Sequence, residues 1–284
     1  MFNLLSSRKS DLIYSAAVNR TACRMSPLPR GVSEAWQGSY TMHWDFALIL
    51  IFLGVVVPWL GRRRIRHLMQ ASQTSKMDRL TLYASTMAFQ WLAAGVILWR
   101  TGAHHIAPAQ LGLAVPNGLL IVAISVLLSA FLLAIQLLTL RRLTSAPDEI
   151  RGTLPQLALK IFPQDHVERL AFLALVATVA VCEELIYRGF VQRVLEDWFG
   201  SLVVVGVLGS AALFALAHLY QGRRGLGATF ILGAIFSVIR AWTGSLVPPL
   251  AAHFAVDLMI GLAAPHRLRA ALARTSSGAG EDER

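Results

Sequence analysis

Glu183, Glu184, Arg188, His218, His253 and Asp257 are the residues best equipped for chemistry, because each stands inside an otherwise apolar stretch. An ionised side chain at the centre of a membrane helix costs about 2.5–3.5 kcal/mol on insertion scales, so its presence there calls for a reason. Taken singly, each has an ordinary structural explanation. Glu184 and Arg188 are four residues apart and suit an intrahelical salt bridge. A lone His218 suits a hydrogen-bonded helix contact. His253 and Asp257 share the same spacing, the geometry in which a carboxylate orients an imidazole. Their concentration in four consecutive stretches, when the three earlier ones hold only a terminal Asp45, points to a shared function instead.

A carboxylate and two imidazoles can hydrolyse an amide. Water attack needs a base to take its proton and donors to hold the oxyanion. Glu183 and His218 suit polarisation of one water from two sides, with Arg188 balancing Glu184. His253 and Asp257 then face the developing oxyanion. Two His and a Glu are also a zinc ligand set, as in metalloproteases, although the sequence has no HExxH. Cys182, beside Glu183, reads as a small core hydrophobe rather than a nucleophile.

The elements that must position these residues are membrane helices. Of 284 residues, 55% are hydrophobic and 15% charged, both displaced from soluble proteins toward the membrane class. Trp44–Leu60, Leu80–Trp99 and Asn117–Leu140 are nearly free of charge and long enough to span about 30 Å of hydrocarbon. Val167–Phe190, Ser201–Leu219, Leu226–Thr243 and Leu246–Ala264 follow, and these carry the ionisable groups. The expectation is an all-α polytopic bundle of seven spans, or eight with a re-entrant segment near Glu149–Phe162, with its active site in the last four. Two cysteines exclude a disulfide scaffold. The net charge of +10 does not point to nucleic acid, because the basic residues sit between apolar runs. The first interspan loop holds Arg62, Arg63, Arg64, Arg66, Lys76 and Arg79 and is expected on the cytoplasmic side.

Depth arithmetic brings the groups together. The helix of Glu183 should continue to a turn near Gly200, which lies 17 residues beyond Glu183 and 18 before His218. In an antiparallel pair those two side chains reach one height. Residues 42–266 form the membrane domain, with the chemical core at 167–264. Residues 1–41 are polar, either a tail or sequence preceding a true start at Met42, and 267–284 are a polar C-terminal tail. Among the remaining residues, His104 and His105 are expected to be solvated. Arg240 is expected to snorkel or to hold a substrate carboxylate. Gly189, Gly206, Gly209, Gly227 and Gly233 are expected to permit close helix packing.

Glu183-Glu184-Leu185-Ile186-Tyr187-Arg188 resembles the EExxxR motif of the CAAX protease and bacteriocin-processing (CPBP, or Abi) family of intramembrane glutamic endopeptidases. Phe214 to His218 resembles its FxxxH motif, and His253 to Asp257 its HxxxN/D. All three fall on separate spans in the family's order, over roughly 167–264. The resemblance implies a metal-independent protease without cofactor, in which Glu183 and His218 activate water. It implies support from Glu184 and Arg188, with His253 and Asp257 contacting oxyanion or substrate and Phe214 packing near the site. Eukaryotic-type prenyl proteases end the last motif in Asn; here it is Asp257. The implied partners are a membrane-associated peptide or protein substrate and the lipid bilayer, and the implied location is the cell membrane, as a multi-pass protein of bacterial inner-membrane type. A non-catalytic immunity or scaffold protein of the same fold, a zinc-dependent membrane protease and a proton-coupled transporter are the alternatives. No pairing of the spans as repeats favours the last.

Overall fold

The computed structural model describes residues 43–71, 73–145 and 153–279, so the readings of residues 1–41, Met42 and the final residues 280–284 lie outside the described residues. The chain forms α1 (Trp44–Gln70, with a π-helical turn at Phe52–Val56), α2 (Lys76–Ala103), α3 (Gly118–Ser145) and α4 (Thr153–Ile161). These are followed by α5 (His166–Trp198), α6 (Val203–Ala217), α7 (Gly222–Thr243) and α8 (Val247–Ala279). The described residues contain no strand, only an isolated bridge between Leu113 and Ser245.

By length and composition six helical stretches can cross a membrane: α1, α2, Gly118–Arg142, α5, Leu219–Thr243 and Val247–Ala271. The expected seventh span, Ser201–Leu219, is corrected. Its helix α6 has 15 residues, a rise of about 22 Å, short of the roughly 30 Å of hydrocarbon. The segment expected near Glu149–Phe162 carries the nine-residue α4, its first residues lying outside the described ones.

Helix α3 runs along α8, α2 along α5, and α6 lies between α5 and α7, while α8 also packs on α5. Polar residues at helix ends hold these contacts in register. Ser75 and Asp78 form a reciprocal capping box at the start of α2. Asp165 caps α5 through the Glu168 amide and pairs with Lys76 at 2.7 Å, which ties the two helix starts together. The Lys76 ammonium holds the Asp165 carboxyl below the usual carboxylate range. Buried Arg79 and Glu168 meet at 2.8 Å, and Lys160 Nζ caps the carbonyls of Leu68 and Met69 at the end of α1, each at 3.1 Å.

The other end is closed by the segment after α2. Gly112, in the left-handed region at φ +77°, accepts the Leu246 amide at 2.8 Å, docking this segment on the α7–α8 turn. Arg100 and His104 both reach Asp45, at 2.7 and 3.0 Å, so His104 is pinned rather than solvated. Arg240 does not snorkel; buried, it donates to the Gln110 carbonyl at 2.5 Å and faces Glu196 at 3.5 Å. Gly206 lets α6 approach the Gln192 carbonyl and Glu196, and Gly233 lets α7 meet Ala211, whereas Gly227 faces open space and serves no close contact.

Candidate active site

A π-helical segment, Glu184–Val191, interrupts α5 and carries the Glu184–Arg188 motif, where an unbroken α-helix was expected. Such insertions add one residue to a turn and recur at functional sites. The register against α6 shows the addition directly. Tyr187 accepts a hydrogen bond from Ser210, and Gln192 stands against Gly206; five residues on α5 therefore match four on α6. Continued one turn, this register sets Glu183 level with Phe214. His218 lies one turn further, about 6 Å beyond that level at 1.5 Å per residue.

Helices α5 and α8 bring the acidic groups and one imidazole together. The Glu184 carboxylate is fully buried and its Oε1 accepts from Arg188 Nη1 at 3.0 Å and from His253 Nδ1 at 2.8 Å. The other face of His253 is turned toward Glu183 and Asp257, its Nε2 lying 3.9 Å from Glu183 Oε2 and 3.4 Å from Asp257 Oδ2. Glu183 is held from outside the motif, by Gln90 of α2, whose Nε2 donates to Oε1 at 2.9 Å. Its Oε2 is buried with no hydrogen-bond partner among the described residues, as is Glu184 Oε2.

Aromatic rings complete the cluster. The Arg188 guanidinium lies 4.1 Å from the Phe214 ring centroid and 5.3 Å from that of Phe236. Ring faces can balance part of a buried cation's charge, which matters here because Nε and Nη2 lack hydrogen-bond partners among the described residues. Phe214 thus touches the guanidinium of the motif on the neighbouring helix. It also stands between the two imidazoles, its centroid 4.7 Å from His218 and 6.2 Å from His253. His218 caps the end of α6, its Nδ1 lying 2.9 Å from the Phe214 carbonyl. A carbonyl only accepts, so Nδ1 carries a proton, and a neutral ring in this tautomer has its lone pair at Nε2.

The structure therefore joins Glu183, Glu184, Arg188, His253 and Asp257 through direct contacts and connects His218 to them through Phe214. Gln90 and Phe236 were not identified from sequence. Phe236 is an unremarkable aromatic in an apolar span, but Gln90 is an amide inside one, and that was a readable signal. Cys182 is fully buried in the apolar core. Among the described residues, the one His/Asp group with ligand atoms within 4.8 Å of one another is His43, Asp45 and His104 near the start of α1, not this cluster.

Comparison with known proteins adds a family to this geometry. Residues 166–259 match the model of the type II CAAX prenyl endopeptidase Rce1-like family. The chain is 29% identical over 102 residues to the uncharacterized protein YpbD of Bacillus subtilis (strain 168), covering 34% of this chain and 47% of that protein. The chain thus spans about half the length of the curated relative it matches. No solved structure matches it. Residues 166–259, which carry every residue of this cluster except Gln90, are thus similar to the type II CAAX prenyl endopeptidase Rce1-like family.

Proposed function

We propose that this protein is an intramembrane endopeptidase that hydrolyses a peptide bond of a membrane-associated protein or peptide. The observation that carries the reading is Glu183 Oε2. It is a buried carboxylate oxygen without a hydrogen-bond partner among the described residues, 3.9 Å from His253 Nε2, inside a segment of CAAX-endopeptidase type. Such an oxygen is suited to take a proton from attacking water.

The other groups divide the remaining work. His218, with its lone pair at Nε2, contacts the water from the second side. Attack forms a bond from the water oxygen to the scissile carbonyl carbon, and the carbonyl electrons move onto oxygen. His253 Nε2, when both ring nitrogens carry protons, and Asp257, when protonated, donate hydrogen bonds to that oxyanion, which is worth most where water is excluded. Glu183 then returns its proton to the amide nitrogen as the bond breaks. Glu184 and Arg188 touch no reacting atom; they hold His253 at Nδ1. No step in this scheme requires a metal ion or cofactor.

The test is cleavage of a peptide library by the full chain purified in detergent, with and without a chelator. Cleavage that survives the chelator and is lost in Glu183→Gln is the expected result. Cleavage abolished by the chelator and restored by zinc overturns the glutamic mechanism. A Glu183→Gln protein that melts like the wild type and cleaves as well overturns the role of Glu183.

A further inference from the structure

A cleft of about 500 Å³ opens between α1 and α2. On α1 it is lined by Val57, Leu60, Arg64 and His67, which recur at helical spacing along one face, with Arg63 beside them. On α2 it is lined by Ser85, Thr86 and Phe89, one turn of the antiparallel neighbour. Both walls change character in the same direction. The deeper part is apolar, from Val57, Leu60 and Phe89; the part toward the arginine-rich end of α1 is basic and hydroxylated. No Asp or Glu lines the cleft.

The basic end is fixed in advance. Arg64 reaches across from α1 to α2, donating to Ser85 Oγ at 2.5 Å, Thr86 Oγ1 at 3.4 Å and the Leu82 carbonyl at 3.3 Å. Both hydroxyls donate in turn to carbonyls of their own helix, so the guanidinium has a defined seat. Arg63 lies over the Trp59 ring at 5.6 Å, an aromatic of the kind that settles at a membrane–water boundary.

We propose that this cleft binds an anionic phospholipid, its headgroup phosphate held by Arg63, Arg64 and His67 and an acyl chain lying along Val57, Leu60 and Phe89. The charge calls for a phosphate, and the apolar continuation on both helices calls for one that carries a hydrocarbon chain. A cation cluster on a helix at this boundary attracts anionic lipid by about 1 kcal/mol per charge, so two arginines amount to a tenfold preference or more. None of the lining residues has a role in the proposed peptidase chemistry, and the proposal does not rest on it.

Native mass spectrometry of the full chain in detergent tests this, with phosphatidylglycerol, phosphatidylcholine of the same acyl chains, and inorganic phosphate as probes. Phosphatidylglycerol should be retained in preference to the other two, and Arg63→Gln/Arg64→Gln should weaken it at least about tenfold. Arg63→Gln/His67→Gln leaves the hydrogen bonds of Arg64 intact and should also weaken it, whereas Arg141→Gln/Arg142→Gln on α3 should not. Equal retention of phosphatidylcholine, or undiminished phosphatidylglycerol in both cleft variants, overturns the proposal. Inorganic phosphate bound as tightly as the lipid overturns the acyl-chain half.

Discussion

Gln90 Nε2 lies 2.9 Å from Glu183 Oε1, so the first carboxylate of the motif is held by a helix outside the family-matched segment. The amide occupies one carboxylate oxygen and leaves the other, Oε2, turned toward His253 Nε2. Helix α2 is fastened to α5 at this level by a second polar contact, Trp91 Nε1 to Thr178 Oγ1 at 3.3 Å.

Gln90→Ala is therefore expected to lower turnover while leaving the fold in place. A hydrogen bond to a charged group is worth roughly 1.5–3 kcal/mol, so the loss is expected at about 10- to 100-fold. A positioning role predicts that the fall appears in kcat rather than KM and that Gln90→Asn recovers little, being one methylene short. Unchanged kcat in Gln90→Ala would show that Glu183 is set by its own helix alone.

Arg188→Ala is expected to cost folded protein as well as activity. It strands the buried Glu184 carboxylate, a loss of about 3–5 kcal/mol for a buried pair, and removes the cation stacked against Phe214 and Phe236. Arg188→Lys keeps the charge but not the planar group that fits between rings and carboxylate, so it should recover the fold only in part. Thermal melting in detergent reads both. An Arg188→Ala protein with wild-type yield and midpoint would mean that Glu184 does not depend on this partner.

His218→Ala should lower turnover by at least about 10³-fold if its Nε2 shares the activating role with Glu183. The structure places this ring beside Phe214, the two centroids 4.7 Å apart. If His218 instead only caps α6, His218→Asn, which can donate to the Phe214 carbonyl, should restore both melting and turnover. Restored turnover would remove His218 from the chemistry.

How much of this was legible follows from the kind of signal each feature left. Charges inside apolar runs marked Glu183, Glu184, Arg188, His218, His253 and Asp257 without any structure, because their cost in a membrane singles them out. The depth count for Glu183 and His218 left out one local feature. The count assumed uniform α-helix, and the π-helical segment Glu184–Val191 inserts a residue that period-3.6 reasoning does not register. Helix α6 read as a span because apolarity was visible while its ends were not. Its 15 residues are set by Leu202 and the His218 cap, neither a strong boundary in sequence. Arg240 and His104 looked exposed because their partners, Glu196 and Asp45, are distant in the chain.

Asp257 carries the sharpest remaining choice. His253 is already oriented at Nδ1 by Glu184 at 2.8 Å, so the ring does not need Asp257 to fix it. Asp257 meets the other nitrogen at 3.4 Å, a longer contact, and its side chain is 37% exposed. An oxyanion donor at this position is therefore expected, and a carboxyl group donates only when protonated. Asp257→Asn keeps a donor at every pH and should retain most of the activity between about pH 5 and 9. Asp257→Leu has no donor and should lose roughly 10²–10³-fold, the usual worth of one such group. The measurement is turnover of all three proteins across that range, with melting curves to confirm the fold. If the Asn variant is as inactive as the Leu variant, Asp257 acts instead as the ionised partner of His253, and the oxyanion is left to the imidazole alone.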